Sequence, residues 1–420
     1  MLEAHIIGAG DRSNRRETCV RGDINHILGR VRLATGLVLF FYVLTHNLNH
    51  ALGLISLDAM EWGRRPFVAF WRFEPVEAVF LLSAIAHFLL GARALYNRHS
   101  LHMPFWEGAQ LVLGISIPPL LMLHFLGTVV AHKVFGIDDA YDETVLALVT
   151  NPGFTATQIA AVLVTWIHGC IGIAYWLRLK PWFPKARVAL FTLALLIPTL
   201  SLLGFAEAGR DVLRLMHQPG WFHDLVTRRN LPGGDAVVRL YAWRDNGLIG
   251  YAVVLVAVLA ARYLRVFSVR RRAIRVVYPD GSTVNIQPGT TILEASRIGG
   301  IPHASVCGGR GRCSTCRVRI LAGEATLPPP SADELRVLAR VGAAPGTRLA
   351  CQARPAGYIK VAPLLSGDAA WEAEADVWQP NPALKSLGIE TGRPVLDHNH
   401  YMVRLDTLLN VLEYELKESF

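Results

Sequence analysis

The sequence predicts an α-helical membrane bundle of six transmembrane helices followed by a small α+β domain. Three observations lead there. Six apolar stretches fill most of the chain up to residue 267, each near the roughly 20 residues that cross a hydrocarbon core about 30 Å thick. Only 18% of the 420 residues are charged and 52% are hydrophobic, where soluble proteins carry about 25% charge. After Arg272 the text changes to short β-branched runs separated by turn residues, which is how strands are punctuated.

Residues 1–30 are polar and Arg-rich (Arg12, Arg15, Arg16, Arg21) and read as a cytoplasmic tail without a secretory cleavage pattern. The apolar stretches lie at 31–55, 74–96, 106–130, 154–178, 187–207 and 247–267 within a membrane domain spanning 31–267. Pro118-Pro119 and Pro198 interrupt the third and fifth, an arrangement that neighbouring helices can absorb in a bilayer. The net charge of +9 needs no nucleic acid, because the basic residues flank apolar stretches. Arg93, Arg98, Arg178, Lys180, Lys185, Arg187 and the Arg262–Arg275 group fall on one side with the N-terminal tail. The positive-inside rule makes that side cytoplasmic, in a bacterial inner membrane. The opposite side carries Arg64, Arg65 and Arg72, an acidic loop from Asp138 to Glu143, and a long loop at 208–246.

Residues 273–363 form the α+β domain, with strands expected at Ile274–Tyr278 and Thr283–Ile286 around the turn Pro279-Asp280-Gly281-Ser282. Residues 364–420 read as a loose linker and then a short helix, since Met402, Leu405, Leu409, Leu412 and Leu416 recur at spacings of three and four. That stripe suits a homodimer or docking helix, or a satellite helix packed on the preceding domain.

Four of the six cysteines lie in the small domain: Cys307, Cys313 and Cys316 in the text CGGRGRCSTC, then Cys351. Thiolates converging on one centre need a loop that wraps around it. Gly308, Gly309 and Gly311 allow that wrapping and bring backbone N–H groups towards the sulfurs. A site of four cysteines also suits structural zinc, but zinc sites usually pair two C-x2-C units and only one is present. The C-x5-C-x2-C…C pattern in a β-grasp-like setting resembles the adrenodoxin type of 2Fe-2S ferredoxin over about 90 residues. The resemblance implies a 2Fe-2S cluster held by the four cysteines. Such a cluster survives best in a reducing compartment, in keeping with a cytoplasmic C-terminus. Cys19 and Cys170 lie outside the motif, and Cys170 reads as a small apolar residue in a helix.

Ionisable residues inside a membrane are costly and mark function by default. By helical rise, His87 and His168 lie about 9–10 residues from the cytoplasmic ends of the second and fourth stretches. His46 and His124 match each other about 8–13 Å further across. Two histidine pairs at two heights fit two b haems. Ala34-Thr35-Gly36-Leu37 with His46, and His168-Gly169 with Gly172, resemble the di-haem cytochrome b subunit of fumarate reductases and succinate dehydrogenases over residues 30–180. By that resemblance His46 pairs with His124 on an outer haem and His87 with His168 on an inner one. A quinone then docks near a haem. His50, one turn beyond His46, competes for the same ligand role, and His132 reads as interfacial. Glu61 and Glu74 read as interfacial carboxylates, with proton uptake from a quinol as the second reading.

A six-helix di-haem anchor joined to a ferredoxin domain resembles the N-terminal region of certain bacterial membrane-anchored class III adenylyl cyclases. That resemblance implies a redox sensor of the quinone pool, but residues 364–420 are too few for a cyclase catalytic domain. No G-x-G-x-x-G opens a helix after a strand, so nicotinamide or flavin chemistry would come from a partner. Two functions stand. One is electron transfer between quinone and a soluble redox partner through two haem b groups and a 2Fe-2S cluster. The other is a membrane sensor acting on a signalling effector.

Overall fold

A computed structural model describes residues 9–231, 233–269, 273–365, 371–380, 396–405 and 411–419. It divides into a helical unit (residues 24–98 and 104–265) and a second unit containing both sheets.

In the helical unit the six expected apolar stretches are all helical. They lie in α1 (Ala9–Ala51), α3 (Glu74–Asn97), α4 (Phe105–Phe125), α7 (Pro152–Leu177), α8 (Phe183–Met216) and α10 (Gly234–Val269). Among the described residues these make six helices long and apolar enough to cross a membrane. Several overrun the expected bounds. α1 starts well before residue 31, α8 runs on through polar residues to Met216, and α10 begins at Gly234. Between the apolar helices lie α2 (Leu57–Trp71), α5 (Ala131–Phe135), α6 (Tyr141–Thr150) and α9 (Trp221–Arg229). Ser56 caps α2 by accepting the N–H of Ala59 at 3.0 Å.

At two internal prolines a donor on another helix fills the hydrogen bond that the proline breaks. Pro198 has no N–H for the Ala194 carbonyl, and the Trp166 indole donates to that oxygen at 2.7 Å. Pro119 likewise leaves the Ile115 carbonyl open, and the Tyr251 hydroxyl donates to it at 2.6 Å. Close backbone approach joins the end of α1 to α8. A Cβ on Gly204 would stand 2.1 Å from the His50 carbonyl oxygen, and one on Gly53 would stand 2.3 Å from that of Gly204. Ion pairs tie α2, α9 and the segment around α6 together: Arg64 with Asp139 at 3.5 Å, Arg72 with Asp139, and Arg229 with Asp142 at 3.0 Å.

The small domain holds β1 (Ile274–Val277), β2 (Thr283–Ile286), β3 (Arg317–Ala322), β4 (Thr347–Leu349) and β5 (Ile359–Pro363), with α11 (Ile292–Ile298) and α12 (Ala332–Arg340). The strands order as β2-β1-β5-β3-β4; β1 and β5 are parallel and the other neighbours antiparallel. Alternate residues of β1 and β2 are buried, and Val276, Val318, Leu349, Ile359 and Val361 lie in the core. A capping box of Thr291 and Glu294 starts α11.

The C-terminal expectation needs correction. Met402 and Leu405 lie in β7 (Leu396–Leu405), paired with β6 (Trp371–Pro380) and β8 (Val411–Ser419) in a three-stranded antiparallel sheet. Residues 371–380 are thus a strand rather than linker, and 411–419 are a strand rather than helix. Residues 366–370, 381–395 and 406–410 of that region lie outside the described ones. The helical spacing misled because Leu412, Tyr414 and Leu416 also alternate with Glu413 and Glu415. That period of two is the strand's own.

Candidate functional site

The four cysteines of the small domain meet because of how β3 and β4 pair. Arg317 opens β3 directly after Cys316, Leu349 closes β4 two residues before Cys351, and Arg317 pairs with Leu349. The Ala350 N–H donates to the Cys316 carbonyl at 2.9 Å. The register therefore closes the long sequence gap and sets the Cys316 and Cys351 sulfurs 3.4 Å apart. Cys307 and Cys313 come from the loop before β3. Gly308, Gly309 and Gly311 have φ of 67°, 79° and 66°, left-handed values that glycine adopts without strain. A Cβ at Gly311 would also press on the Gln352 amide at 2.8 Å.

All four cysteines are buried, and backbone and hydroxyl donors reach the sulfurs. The Arg310 N–H donates to Cys307 Sγ at 3.3 Å. Thr315 Oγ1 accepts the Val306 N–H at 3.0 Å, which leaves its own proton for Cys313 Sγ at 3.1 Å. The Cys313 thiol and the N–H groups of Arg312, Cys313 and Arg310 hold Cys307 well below the usual thiol range, against the effect of burial. Cys313 is pushed up, chiefly by Cys307 and then by burial. The sulfurs thus fall into two pairs, Cys307 with Cys313 and Cys316 with Cys351. Among the described residues no three Cys, His, Asp or Glu side chains converge on one point. One tetrahedral zinc needs four donors around a single centre, whereas two pairs suit a centre of two irons.

The 2Fe-2S iron-sulfur cluster binding domain family matches residues 277–356. 2Fe-2S ferredoxin-5 of Aquifex aeolicus is 40% identical over 65 residues, 15% of this chain and 68% of that protein. Through this segment the chain belongs to the 2Fe-2S ferredoxin family. The reductase subunit of an aromatic O-demethylase from an Amycolatopsis species is 40% identical over 81 residues, 19% of this chain and 23% of its own length. A component of the Na(+)-translocating NADH-quinone reductase of Pseudoalteromonas atlantica is 39% identical over 74 residues, 18% of this chain and 17% of its own. The chain therefore spans less than a quarter of either reductase protein.

Outside that domain, the helical unit brings four histidines of the long apolar helices into two pairs. His87 on α3 and His168 on α7 have ring centroids 6.3 Å apart, and His46 on α1 and His124 on α4 have theirs 5.9 Å apart. The His87–His168 pair has fixed tautomers. His87 Nδ1 lies 3.2 Å from the Arg32 carbonyl and 3.3 Å from Thr35 Oγ1, whose proton goes to the Val31 carbonyl. His168 Nδ1 donates to the Gln110 carbonyl at 3.0 Å. Both Nε2 atoms are therefore the unprotonated nitrogens. Gly36 and Gly114 back the two rings, and a Cβ there would come within 3.0 Å of His87 Cε1 and 2.9 Å of His168 Cε1.

The second pair is set differently. His46 Nδ1 is buried without a hydrogen-bond partner. Leu126–Val130, just beyond His124, winds as a π-turn, a rare geometry that often marks functional sites. His50 meets His46 edge-on, with ring centroids 4.1 Å apart, but is anchored elsewhere. Its Nδ1 lies 3.3 Å from Ser201 Oγ, which donates to Asn47 Oδ1 at 3.0 Å. The carboxylate readings divide. Glu61 is occupied by Arg64 and accepts the Tyr141 N–H at 3.2 Å, while Glu74 sits in the exposed first turn of α3. His132 Nδ1 meets the Ile137 carbonyl at 2.8 Å in a turn. Sequence reasoning missed the acceptors of the histidine N–H groups. Arg32 and Gln110 act through main-chain oxygens, which no side-chain motif records, although Thr35 and Gly36 stand in the motif already noted.

Proposed function

We propose that this protein is a membrane-bound electron carrier between the quinone pool of a bacterial cytoplasmic membrane and a soluble redox partner. In this reading His46 and His124 hold an outer b haem, and His87 and His168 an inner one. Cys307, Cys313, Cys316 and Cys351 hold the 2Fe-2S cluster on the cytoplasmic side. The spacing of the histidine rings carries the haem part. Imidazole nitrogen sits about 2 Å from a bound transition metal, so two imidazoles that would share one metal have centroids roughly 6 Å apart. Both pairs lie at that separation. The ferredoxin domain and its reductase relatives support the electron-transfer part.

Bound haem and cluster supply reversible one-electron chemistry. The chain's own residues prepare for it. Arg32 and Gln110 carbonyls orient His87 and His168 with Nε2 free, and Gly36 and Gly114 leave room beside the rings. Thr315 and the Arg310 N–H stabilise thiolate sulfur in the cysteine loop. Quinol protons need an acceptor other than Glu61, whose carboxylate is already paired. The sensor reading loses one support, because its proposed C-terminal docking helix is strand.

Adding a reduced short-chain quinol to purified protein and following its visible spectrum tests the proposal. The carrier reading expects a sharp ferrous b-type α band, bleaching of the cluster absorbance, and onward transfer to a soluble acceptor. A spectrum that quinol leaves unchanged, in protein shown to be pigmented, contradicts it.

A further inference from the structure

The proposed function leaves His50 without a role, yet α8 is built to receive it. His50 stands one turn beyond His46 on the same face of α1, and the two rings meet edge-on with centroids 4.1 Å apart. Ser201, Gly204 and Phe205 recur at helical spacing along α8, and each engages His50. Ser201 Oγ lies 3.3 Å from His50 Nδ1 and the Phe205 ring meets the imidazole edge-on at 4.3 Å. Gly204 lets its helix close on the His50 carbonyl. His50, Asn47 and Ser201 are all buried.

Hydrogen bonds fix the state of the His50 ring. Ser201 has one proton and gives it to Asn47 Oδ1 at 3.0 Å. Its oxygen can only accept from His50, so Nδ1 carries the ring proton and Nε2 keeps the lone pair. This is the state that the Arg32 and Gln110 carbonyls impose on His87 and His168. His46 differs, since its Nδ1 is buried without a partner. An acceptor at the far nitrogen orients an imidazole and makes it a more basic ligand. Two neighbours on α1 thus divide the attributes of a ligand. His46 has the ring separation from His124, 5.9 Å, and His50 has the supporting hydrogen bond.

We infer that His50 is an alternate axial ligand of the outer haem, interchangeable with His46, and that Ser201 is the residue that positions it. The inference rests on the proposed haem reading of the His46–His124 pair. Ser201 acts only through the His50 ring, by accepting its Nδ1 proton.

Haem per chain, the α band and a redox titration are compared between unaltered full-length protein and its variants in detergent, with the His87–His168 haem as the internal report of folding. His46→Ala is expected to keep two haems, the outer one at a lower midpoint potential because its new ligand is hydrogen-bonded. Adding Ser201→Ala moves that potential back up with the haem retained, a shift that a merely structural serine would not produce. Adding His50→Ala to His46→Ala instead removes the outer haem alone and about half the α band. The milder His46→Asn is measured beside His46→Ala, in case alanine loosens the bundle. One haem or none in both His46 variants overturns the inference. So do two haems in the double variant His46→Ala with His50→Ala, or an outer potential that His46→Ala leaves unmoved. Fewer than two haems in the unaltered protein would overturn the haem reading beneath it.

Discussion

The two histidine pairs of the helical unit differ in how their rings are held. His87 and His168 each give the Nδ1 proton to a main-chain carbonyl on another helix and are backed by a glycine. His46 has no acceptor for Nδ1 and is wedged among aromatic rings, with Tyr42 5.5 Å and His50 4.1 Å away. One pair is oriented by hydrogen bonds to backbone carbonyls; in the other, His46 is held by packing and His124 is hydrogen-bonded to the Gln158 side chain. Hydrogen bonding to the far nitrogen makes an imidazole a more basic ligand. Under the proposed haem ligation, the two pairs would give their metals different potentials.

The largest expected effect separates the pairs outright. His87→Ala or His168→Ala removes one of two haems and about half the α-band absorbance, with the second haem retained. Loss of all pigment, or of none, contradicts independent sites. Next, a redox titration of the intact protein resolves two b-type components. The one lost in His87→Ala has the lower potential, by on the order of 50 mV, since one hydrogen bond of about 1 kcal/mol is worth that in a one-electron couple. The reverse order would break the comparison. Gly36→Ala sets a methyl 3.0 Å from His87 Cε1 and lowers occupancy of that haem alone, partially, because the ring must give by a few tenths of an ångström. Gly91, with open space around it, is the control position and should tolerate alanine.

The smallest effect concerns the acidic loop near the second pair. Burial, opposed by Thr144, and the nearby Asp139, Asp142 and Asp138 push the Glu143 carboxyl from 4.5 up to about 7. The folded state thus holds this proton more tightly than the unfolded chain does. Its contribution to stability is in place below pH 4.5 and is lost as pH rises through about 7. Glu143→Gln should flatten thermal stability across roughly pH 5–8, measured by the melting temperature of the detergent-solubilised protein. An unaltered pH dependence contradicts this assignment.

Legibility from sequence followed how local each physical signal is. An uninterrupted apolar run announces its helix, and all six did. Their ends did not show, because α8 and α10 continue through polar residues such as Arg210 and Asp245. The helix α2 was missed although Ser56 supplies a cap, since its 15 residues are too short and too mixed to stand out as a span. β1 and β2 were legible through alternation around a turn. The pairing of His46 with His124 and of His87 with His168 followed from depth, but their carbonyl partners did not, because every residue type carries a carbonyl. The Arg317–Leu349 register that joins Cys316 to Cys351 is a non-local fact, and only the fold supplies it. At the C-terminus two periods overlapped in Met402–Leu416, and the strand's period won.

Metal and pigment stoichiometry of the full-length protein, purified from haem- and iron-replete cells, bears most directly on the central claim. The account predicts two protohaems per chain together with two non-haem irons and two acid-labile sulfides. Folded protein that is colourless, or that carries one zinc in place of the iron and sulfide, would contradict it.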